Sequence, residues 1–302
     1  MGNWVEDFQE YLMVSGRSSK TVEAYLSDLR VFGAWFEEVN AEGLRPERVT
    51  GVDCHDFRAD QLQTKRVAPS TWNRRRVTLI VFAQWAIDQG YLKMDPMDGV
   101  PEKPVEELPP RWLDEGEYRQ FVRYLDKQIN IAQTEFEIRR SLMYRAICAL
   151  MLYAGLRVDE VCSLDLEDLT IRERSGWVVV REGKGDKQAT LPLKNPKARK
   201  VISDWLAYRE EHHPDAPLWF GRRMGRLGTR AVQEHFKVIR KTLELEFLTP
   251  HSLRHTFVRR LLVVKKVPVN IVQKLARHAK VETTLSYAGP SWRDLEDAVE
   301  SL

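Results

Sequence analysis

Asp95-Pro96-Met97-Asp98-Gly99-Val100-Pro101-Glu102-Lys103-Pro104, running on to Pro109-Pro110, places five prolines in sixteen residues. Proline fixes φ and removes a backbone donor, so no helix or central strand survives such a stretch. Residues 95–110 read as an extended, proline-rich linker. It divides the 302-residue chain into a domain over 1–94 and a larger one over 111–302. A hydrophobic share of 43% can fill two cores, and a charged share of 30% suits a solvated surface.

Upstream of the linker the pattern is helical. Trp4, Val5, Phe8, Tyr11 and Leu12 recur at helical spacing until Ser15-Gly16 breaks the run. Val22, Tyr25, Leu29, Phe32 and Phe36 stripe a longer helix over 19–39. A short helix over 53–63 follows, then one with Ser70 as N-cap that runs to Gln89 and stops at Gly90. Together they make a four-helix bundle, with Trp35, Trp72 and Trp85 as its simplest core. Downstream the chain is again mostly helical, with one β interruption. Trp177-Val178-Val179-Val180 and Ala189-Thr190-Leu191-Pro192-Leu193 read as strands around the turn Glu182-Gly183-Lys184-Gly185-Asp186-Lys187. The expected fold is mainly α in two domains: the bundle, then an α-rich domain with a small antiparallel sheet.

Composition excludes several classes. The longest apolar run, over 146–154, is about half of what a helix needs to cross a bilayer. Met1-Gly2-Asn3-Trp4-Val5-Glu6 lacks the basic and apolar regions of a signal peptide, and Glu6 stands where a myristoylation signal wants Ser or Thr. The expectation is a cytoplasmic protein without a membrane partner. Cys54, Cys148 and Cys162 are odd in number and widely spaced, which predicts buried thiols rather than disulfides or a zinc site. The formal charge of +3 is too small to announce a nucleic-acid partner. Residues 1–98 hold 12 Lys and Arg against 15 Asp and Glu, so the basic surplus lies in the C-terminal part.

Four segments carry chemistry: Ala154-Gly155-Leu156-Arg157-Val158-Asp159-Glu160, the Lys184 hairpin, Thr249-Pro250-His251-Ser252-Leu253-Arg254-His255-Thr256, and Leu275-Ala276-Arg277-His278 through Tyr287. They supply arginines, whose forks match phosphate oxygens, together with a lysine, histidines and a tyrosine. His251 and Arg254 are three apart and share a helix face, and Pro250 suits a first helical turn. No acidic cluster suggests a two-metal nuclease, and no Gly-rich Lys-Ser/Thr loop suggests nucleotide hydrolysis.

In this order the segments resemble the tyrosine recombinase, or phage integrase, family. That pattern is an Arg in a Gly-Leu-Arg turn with an acidic residue three on, a hairpin Lys, a His-x-x-Arg, and a His followed nine residues later by Tyr. Here it falls on Arg157 with Glu160, Lys184, His251 with Arg254, His278 and Tyr287. Ser70-Thr71-Trp72-Asn73-Arg74-Arg75 and Asp95-Pro96 are similar to the family's core-binding domain, which closes with the catalytic domain as a clamp around duplex DNA. Arg277 departs from the pattern: the family usually has Gly before the second His.

The resemblance implies an enzyme that cuts and rejoins DNA through a covalent bond between Tyr287 and a 3′ phosphate. Arg157 and Arg254 would clamp the phosphate, with His278 as a donor beside them. Lys184 would protonate the leaving 5′ oxygen, and it is preferred over Lys187 on motif position. His251 would accept the tyrosine proton or bind a phosphate oxygen, and Glu160 would orient its neighbours. Neither metal nor ATP is required, because the phosphotyrosine bond stores the energy of the cut. The implied partners are double-stranded DNA with inverted-repeat core sites and the chain itself, four protomers joining two sites and passing through a Holliday junction.

Plainer readings stand beside these. Arg157 with Glu160 alone would be a surface ion pair, and Tyr287 alone an ordinary core tyrosine. Arg74, Arg75 and Arg76, with Lys65 and Arg66 upstream, read either as a solvated face or as phosphate contacts. His255 reads as a structural, hydrogen-bonding histidine, and His212-His213 alone makes no metal site. Ser291, as an N-cap, leads a stripe of Trp292, Leu295, Val299 and Leu302, a terminal helix that packs on its own domain or, by the resemblance, on a neighbouring protomer. Rival functions are a type IB topoisomerase, which the N-terminal bundle argues against, and a DNA-binding regulator without catalysis, which the intact residue set argues against. Phage integration, transposon movement and chromosome-dimer resolution all stay open. The length, without an extra N-terminal arm-binding domain, points to an Xer-like or transposon-type enzyme.

Overall fold

The structure is a computed structural model that describes residues 4–105, 110–181, 188–209, 213–221, 225–289 and 299–300. The chain separates into two compact units, Met1–Glu107 and Leu108–Leu302. It is mainly helical, with one small sheet in the second unit.

The first unit holds α1 (Trp4–Val14), α2 (Ser19–Asn40), α3 (Gly51–Ala59) and α4 (Pro69–Asp88). Ser18 caps α2 by accepting from the Thr21 N–H at 3.2 Å, and Thr50 with Asp53 forms a capping box on α3. The start of α4 differs from the expected Ser70 cap. Pro69 takes the first helical position, where its missing N–H costs nothing, and Ala68 precedes it as the cap. Between α3 and α4 the helix widens into a π turn over Asp60–Thr64, closed by Lys65 N to Asp60 O at 2.8 Å and by Arg66 at φ 49.

Aromatic rings fill this core. Phe8, Phe32, Phe57, Phe82, Trp72 and Trp85 are buried, with Phe32 edge-on to Phe57 at 5.0 Å and Phe8 edge-on to Phe82 at 5.6 Å. One carboxylate lies among them. Asp28 of α2 is 3% exposed and accepts from Arg74 Nη1 at 2.5 Å and from Thr78 Oγ1 at 3.1 Å, with Arg75 Nε 3.7 Å away. The proline-rich stretch opens differently from the extended reading: Pro96–Gly99 form a turn, with Asp98 N bonded to Asp95 O and Val100 N to Met97 O, and the stretch is bound to this unit. Arg76 Nε donates to Val100 O at 2.7 Å, Trp72 Nε1 to Pro101 O at 3.3 Å, and Asn73 exchanges two 2.8 Å bonds with the Lys103 backbone. Met97 and Val100 are buried in the same core.

The second unit is built around α6 (Glu135–Ala154), which packs on α5 (Glu115–Ile131), α8 (Pro196–Tyr208) and α10 (Pro250–Arg259). The apolar run over 146–154 is the interior of this helix, buried on almost every side, which is why it lacks an amphipathic period. Short α7 (Val158–Ser163) leads to a sheet of β1 (Leu169–Ile171), β2 (Gly176–Arg181) and β3 (Gln188–Pro192), antiparallel in the order β1-β2-β3. Val178 pairs with Leu191 and Val180 with Ala189, so Val178, Val180 and Leu191 point inward. The expected hairpin is present, and β1 is an addition to it. Its turn, with Lys184 and Lys187, lies outside the described residues. The described residues also include α9 (Thr229–Leu243), α11 (Val269–Ala276) and α12 (Glu282–Leu285).

The cysteines are buried and form no disulfide. Among the described residues no helix is long and apolar enough to cross a membrane, and no His, Cys, Asp and Glu group could hold a metal. Ser291, Trp292, Leu295 and Leu302 of the expected terminal helix lie outside the described residues, as does His212; Val299 is exposed.

Asp28→Ala should lower the unfolding free energy by about 1–3 kcal/mol, the usual effect of leaving buried polar groups without a partner. Urea denaturation followed by circular dichroism reads this. An unchanged midpoint would mean that Arg74, Arg75 and Thr78 turn to water instead.

Candidate active site

The second unit gathers its chemistry where α6, α10 and α11 end or begin. Helix α6 stops at Gly155, whose φ of 65 is left-handed. A Cβ there would lie 2.4 Å from the Phe257 ring, so the turn admits only glycine. Leu156 is fully buried and anchors the turn. Arg157 then caps α7 in concert with Glu160: its backbone N–H donates to Glu160 Oε2 and its Nη1 to Oε1, both at 2.7 Å.

Helix α10 opens as the sequence suggests, with Pro250 in the first turn and a Thr249–Ser252 capping box. It carries Arg254 into the interior, 2% exposed. Nη1 of Arg254 donates to Gly155 O at 2.5 Å, and Nη2 donates to Ala276 O. His251 lies one turn earlier on the same helix, at the surface but with its imidazole partly shielded by the cluster. Helix α11 ends at Ala276, and Arg277 and His278 follow. The Nδ1 of His278 and Thr284 Oγ1 are 2.9 Å apart, which leaves Nε2 free of that bond.

Tyr287 follows α12 and is 5% exposed. Its carbonyl accepts from Arg259 Nη1 at 2.9 Å, and that guanidinium also bonds Gly289 O at 2.6 Å and lies over the Trp112 ring. Its own ring stacks on His278 at 6.1 Å and meets the edge of His255 at 5.2 Å; His255 in turn lies 4.5 Å from His251. His255 makes the structural bond expected of it, 3.1 Å from Arg111 O, and it also flanks the tyrosine.

Charge in this cluster is unbalanced. Arg157 and Arg277 pair with one carboxylate, Glu160, and Arg254 is bonded to backbone carbonyls instead. Burial, then repulsion from Arg157 and Arg277, brings Arg254 down to about 10. Burial works against ionised Glu160, but Arg277 and Arg157 outweigh it and hold the carboxyl below its usual range. Burial and the arginines push His278 down to about 4, and burial with neighbouring His251 does the same for His255. His251 moves in the same direction, through burial and then Arg254 and Arg157. Burial raises Tyr287, with Arg254 opposing. Near neutral pH the cluster therefore offers cations, uncharged imidazoles and a protonated phenol: parts that can hold an anion and pass a proton.

Arg157, Glu160, His251, Arg254, His278 and Tyr287 thus come together, while Lys184 lies outside the described residues. In the first unit Lys65 and Arg66 are exposed. Arg74, Arg75 and Arg76 have internal partners in Asp28, Gln61 and Val100 O, although Arg74 keeps half its side chain in solvent. Three contributors escape a reading by motif: Arg259 and Thr284, which hold Tyr287 and His278, and the buried Arg277. Only Arg277 left a trace in the sequence, as a departure from the family's usual glycine.

A model described as "Phage integrase family" matches residues 111–291, and one described as "Phage integrase, N-terminal SAM-like domain" matches residues 5–90. The chain belongs to the phage integrase family. This tyrosine recombinase is 30% identical over 299 residues to the tyrosine recombinase XerC of Corynebacterium glutamicum, covering 97% of this chain and 89% of that one. It is 27% identical over 304 residues to the tyrosine recombinase XerA of Pyrococcus horikoshii, covering 98% and 92%. In structure it is similar to the Tn1549 transposon integrase in complex with a circular intermediate DNA, with a TM-score of 0.70, 98% of each chain covered and 15% identity. The XerH site-specific recombinase bound to difH substrate gives a TM-score of 0.69 at 20% identity, covering 92% of this chain and 78% of that one. These two likenesses speak for the fold.

Within the recombinase, Gly155→Ala should cost about 2–4 kcal/mol, combining a left-handed residue with a clash against a packed ring. Chemical denaturation measures the loss. Wild-type stability would show that Phe257 moves aside freely and that the turn is not constrained as described.

Proposed function

We propose that this recombinase cuts and rejoins duplex DNA at specific sites through a covalent 3′-phosphotyrosyl bond to Tyr287. The observation that carries the reading is the convergence of Arg157, Arg254 and His278 beside a buried, protonated Tyr287. Support for DNA as the partner comes from the similar structures solved with DNA. The Tyr287 oxygen attacks phosphorus and the bond to the 5′ oxygen breaks. Arg157 and Arg254 hold the non-bridging oxygens, with His278 Nε2 as a further donor, and such preorganised charge is usually the largest catalytic contribution. The tyrosine needs a base because burial raises its pKa. Neutral His251 either takes that proton or binds a phosphate oxygen. Lys184 delivers a proton to the leaving 5′ oxygen, an assignment that rests on its motif position. Glu160 orients Arg157 through two 2.7 Å bonds.

Rejoining reverses the step: a 5′ hydroxyl attacks the phosphotyrosine and Tyr287 leaves. Strand exchange between two inverted-repeat sites then requires four protomers, a Holliday junction and coupling between neighbours, in which a helix over 291–302 is the proposed link. Domain roles follow the same reading, with residues 1–94 binding the core site, 95–110 linking, and 111–302 performing catalysis. Lys65, Arg66 and the solvent-facing part of Arg74 are the first unit's candidates for phosphate contact, and a cytoplasmic setting suits the activity.

Selection of bound duplexes from a random pool supplies a substrate. On its nicked form, Tyr287→Phe should bind within about threefold of wild type, since one hydroxyl contributes little to a large DNA interface, yet form no covalent adduct on a denaturing gel. An adduct of wild-type yield in the variant would move the nucleophile elsewhere.

Lys184→Ala should slow cleavage by about a hundredfold or more, the usual contribution of a positioned general acid. The loss should nearly vanish when sulfur replaces the 5′-bridging oxygen, because a thiolate leaves without a proton. An equal defect on both substrates would assign Lys184 to binding, and Lys187→Ala run in parallel checks the choice of lysine.

A further inference from the structure

Arg277 sits where a side chain is unfavourable. It follows the last residue of α11 with φ 55, a left-handed conformation that suits glycine. Its side chain does not turn outward to water. The guanidinium is 6% exposed and brings Nη2 to 2.5 Å from Glu160 Oε2, with Nη1 3.2 Å from Leu275 O. Nε is buried without a hydrogen-bond partner among the described residues. A charged group is thus held, incompletely satisfied, inside a cluster that already contains two arginines, and turn geometry alone explains none of this.

What Arg277 changes is the division of Glu160. That single carboxylate faces two guanidiniums: Oε1 takes Arg157 Nη1, and Oε2 takes Arg277 Nη2 together with the Arg157 backbone N–H. Arg157 is the more accessible of the two cations, its side chain 42% exposed. Left alone with Glu160, Arg157 would be neutralised by a whole carboxylate and anchored to it. With Arg277 holding the other oxygen, the carboxylate stays in place without consuming the charge of Arg157. We propose that Arg277 is a positioning residue that holds Glu160 and so leaves the Arg157 guanidinium available to the scissile phosphate. The proposal rests on the reading of this site as a DNA-cleaving one.

The test uses the full chain and the selected duplex in its nicked form, with the scissile phosphate either natural or replaced by an uncharged methylphosphonate. Arg277→Gly suits the left-handed backbone, so the fold should be retained and the melting temperature should stay close to wild type. Single-turnover cleavage of the phosphodiester should fall by about tenfold or more, a typical consequence of weakening one preorganised cation. On the methylphosphonate, where no negative charge awaits neutralisation, the loss should shrink to within about threefold. Arg277→Lys should recover most of the rate. In a Glu160→Gln background, removing Arg277 should change cleavage by no more than about threefold, because the carboxylate it restrains is gone.

Wild-type cleavage by Arg277→Gly would overturn the proposal, as would an equal loss on both substrates. An undiminished effect in the Glu160→Gln background would instead show that Arg277 acts without Glu160. If Arg277→Gly melts early and Arg277→Lys restores melting without restoring rate, the residue is structural and the proposal fails. A wild-type chain that forms no adduct refutes the reading of the site itself. A normal wild-type adduct with an unimpaired variant refutes only the role of Arg277.

Discussion

The second unit depends on a guanidinium removed from water. Arg254 is buried at the junction of three segments, and the carbonyls of Gly155 and Ala276 hold its two terminal nitrogens. One side chain therefore ties the end of α6 and the end of α11 to α10. The cost of burying a cation is large unless hydrogen bonds replace its hydration, and backbone carbonyls at helix ends are well suited to this because they lack intrahelical partners. The left-handed turn at Gly155 exposes one of these carbonyls, and the Phe257 ring beside it forbids any larger residue. Helix ends, glycine and arginine form one device. Together with the Arg277–Glu160 pair it sets Arg157 and His278 in a fixed relation to each other.

The same burial sets the protonation states. Burial first, and neighbouring positive charge after it, lowers the surrounding imidazoles, so the histidines stay neutral and retain lone pairs near neutral pH. Tyr287 moves the other way, because burial disfavours a phenolate more than Arg254 favours it. In the proposed reaction, a phenol that keeps its proton until a base and a phosphate are both present is protected from idle reaction. The hydrogen bond between His278 and Thr284 holds the imidazole, and the bond from Arg259 to the Tyr287 carbonyl holds the backbone that carries the phenol, which in the proposed reaction favours near-attack geometry.

The first unit shows how a run of like charge is divided by its surroundings. Arg74, Arg75 and Arg76 are consecutive, yet a helix sends them in different directions. Two meet buried Asp28, and the third bonds the carbonyl of Val100 in the proline-rich stretch. Prolines free carbonyls by breaking regular structure, and Arg76, Trp72 and Asn73 of α4 use those carbonyls as docking points. What reads as a linker is, over Val100 to Lys103, a strap on the bundle.

Periodicity and turn chemistry in the sequence determined most of the elements. Stripes of aromatic residues marked α1 and α2, Pro250 marked the start of α10, and a run of three valines marked β2. The motif residues were legible because each needs a short local setting: a Gly-Leu-Arg turn, a His and an Arg three apart on a helix, a His and a Tyr nine apart. Strand β1 was not legible. Three residues are too few for a period, and Leu169–Ile171 becomes a strand only by pairing with β2. The partners of Arg254 and Arg277 were not legible either. Gly155 stands 99 residues before Arg254, and Glu160 stands 117 before Arg277. Local sequence specifies helices and turns because their hydrogen bonds and apolar spacing span only a few residues. Where a guanidinium finds its acceptor, and which carboxylate two arginines must share, is decided by tertiary packing, because charge interacts through space and not along the chain.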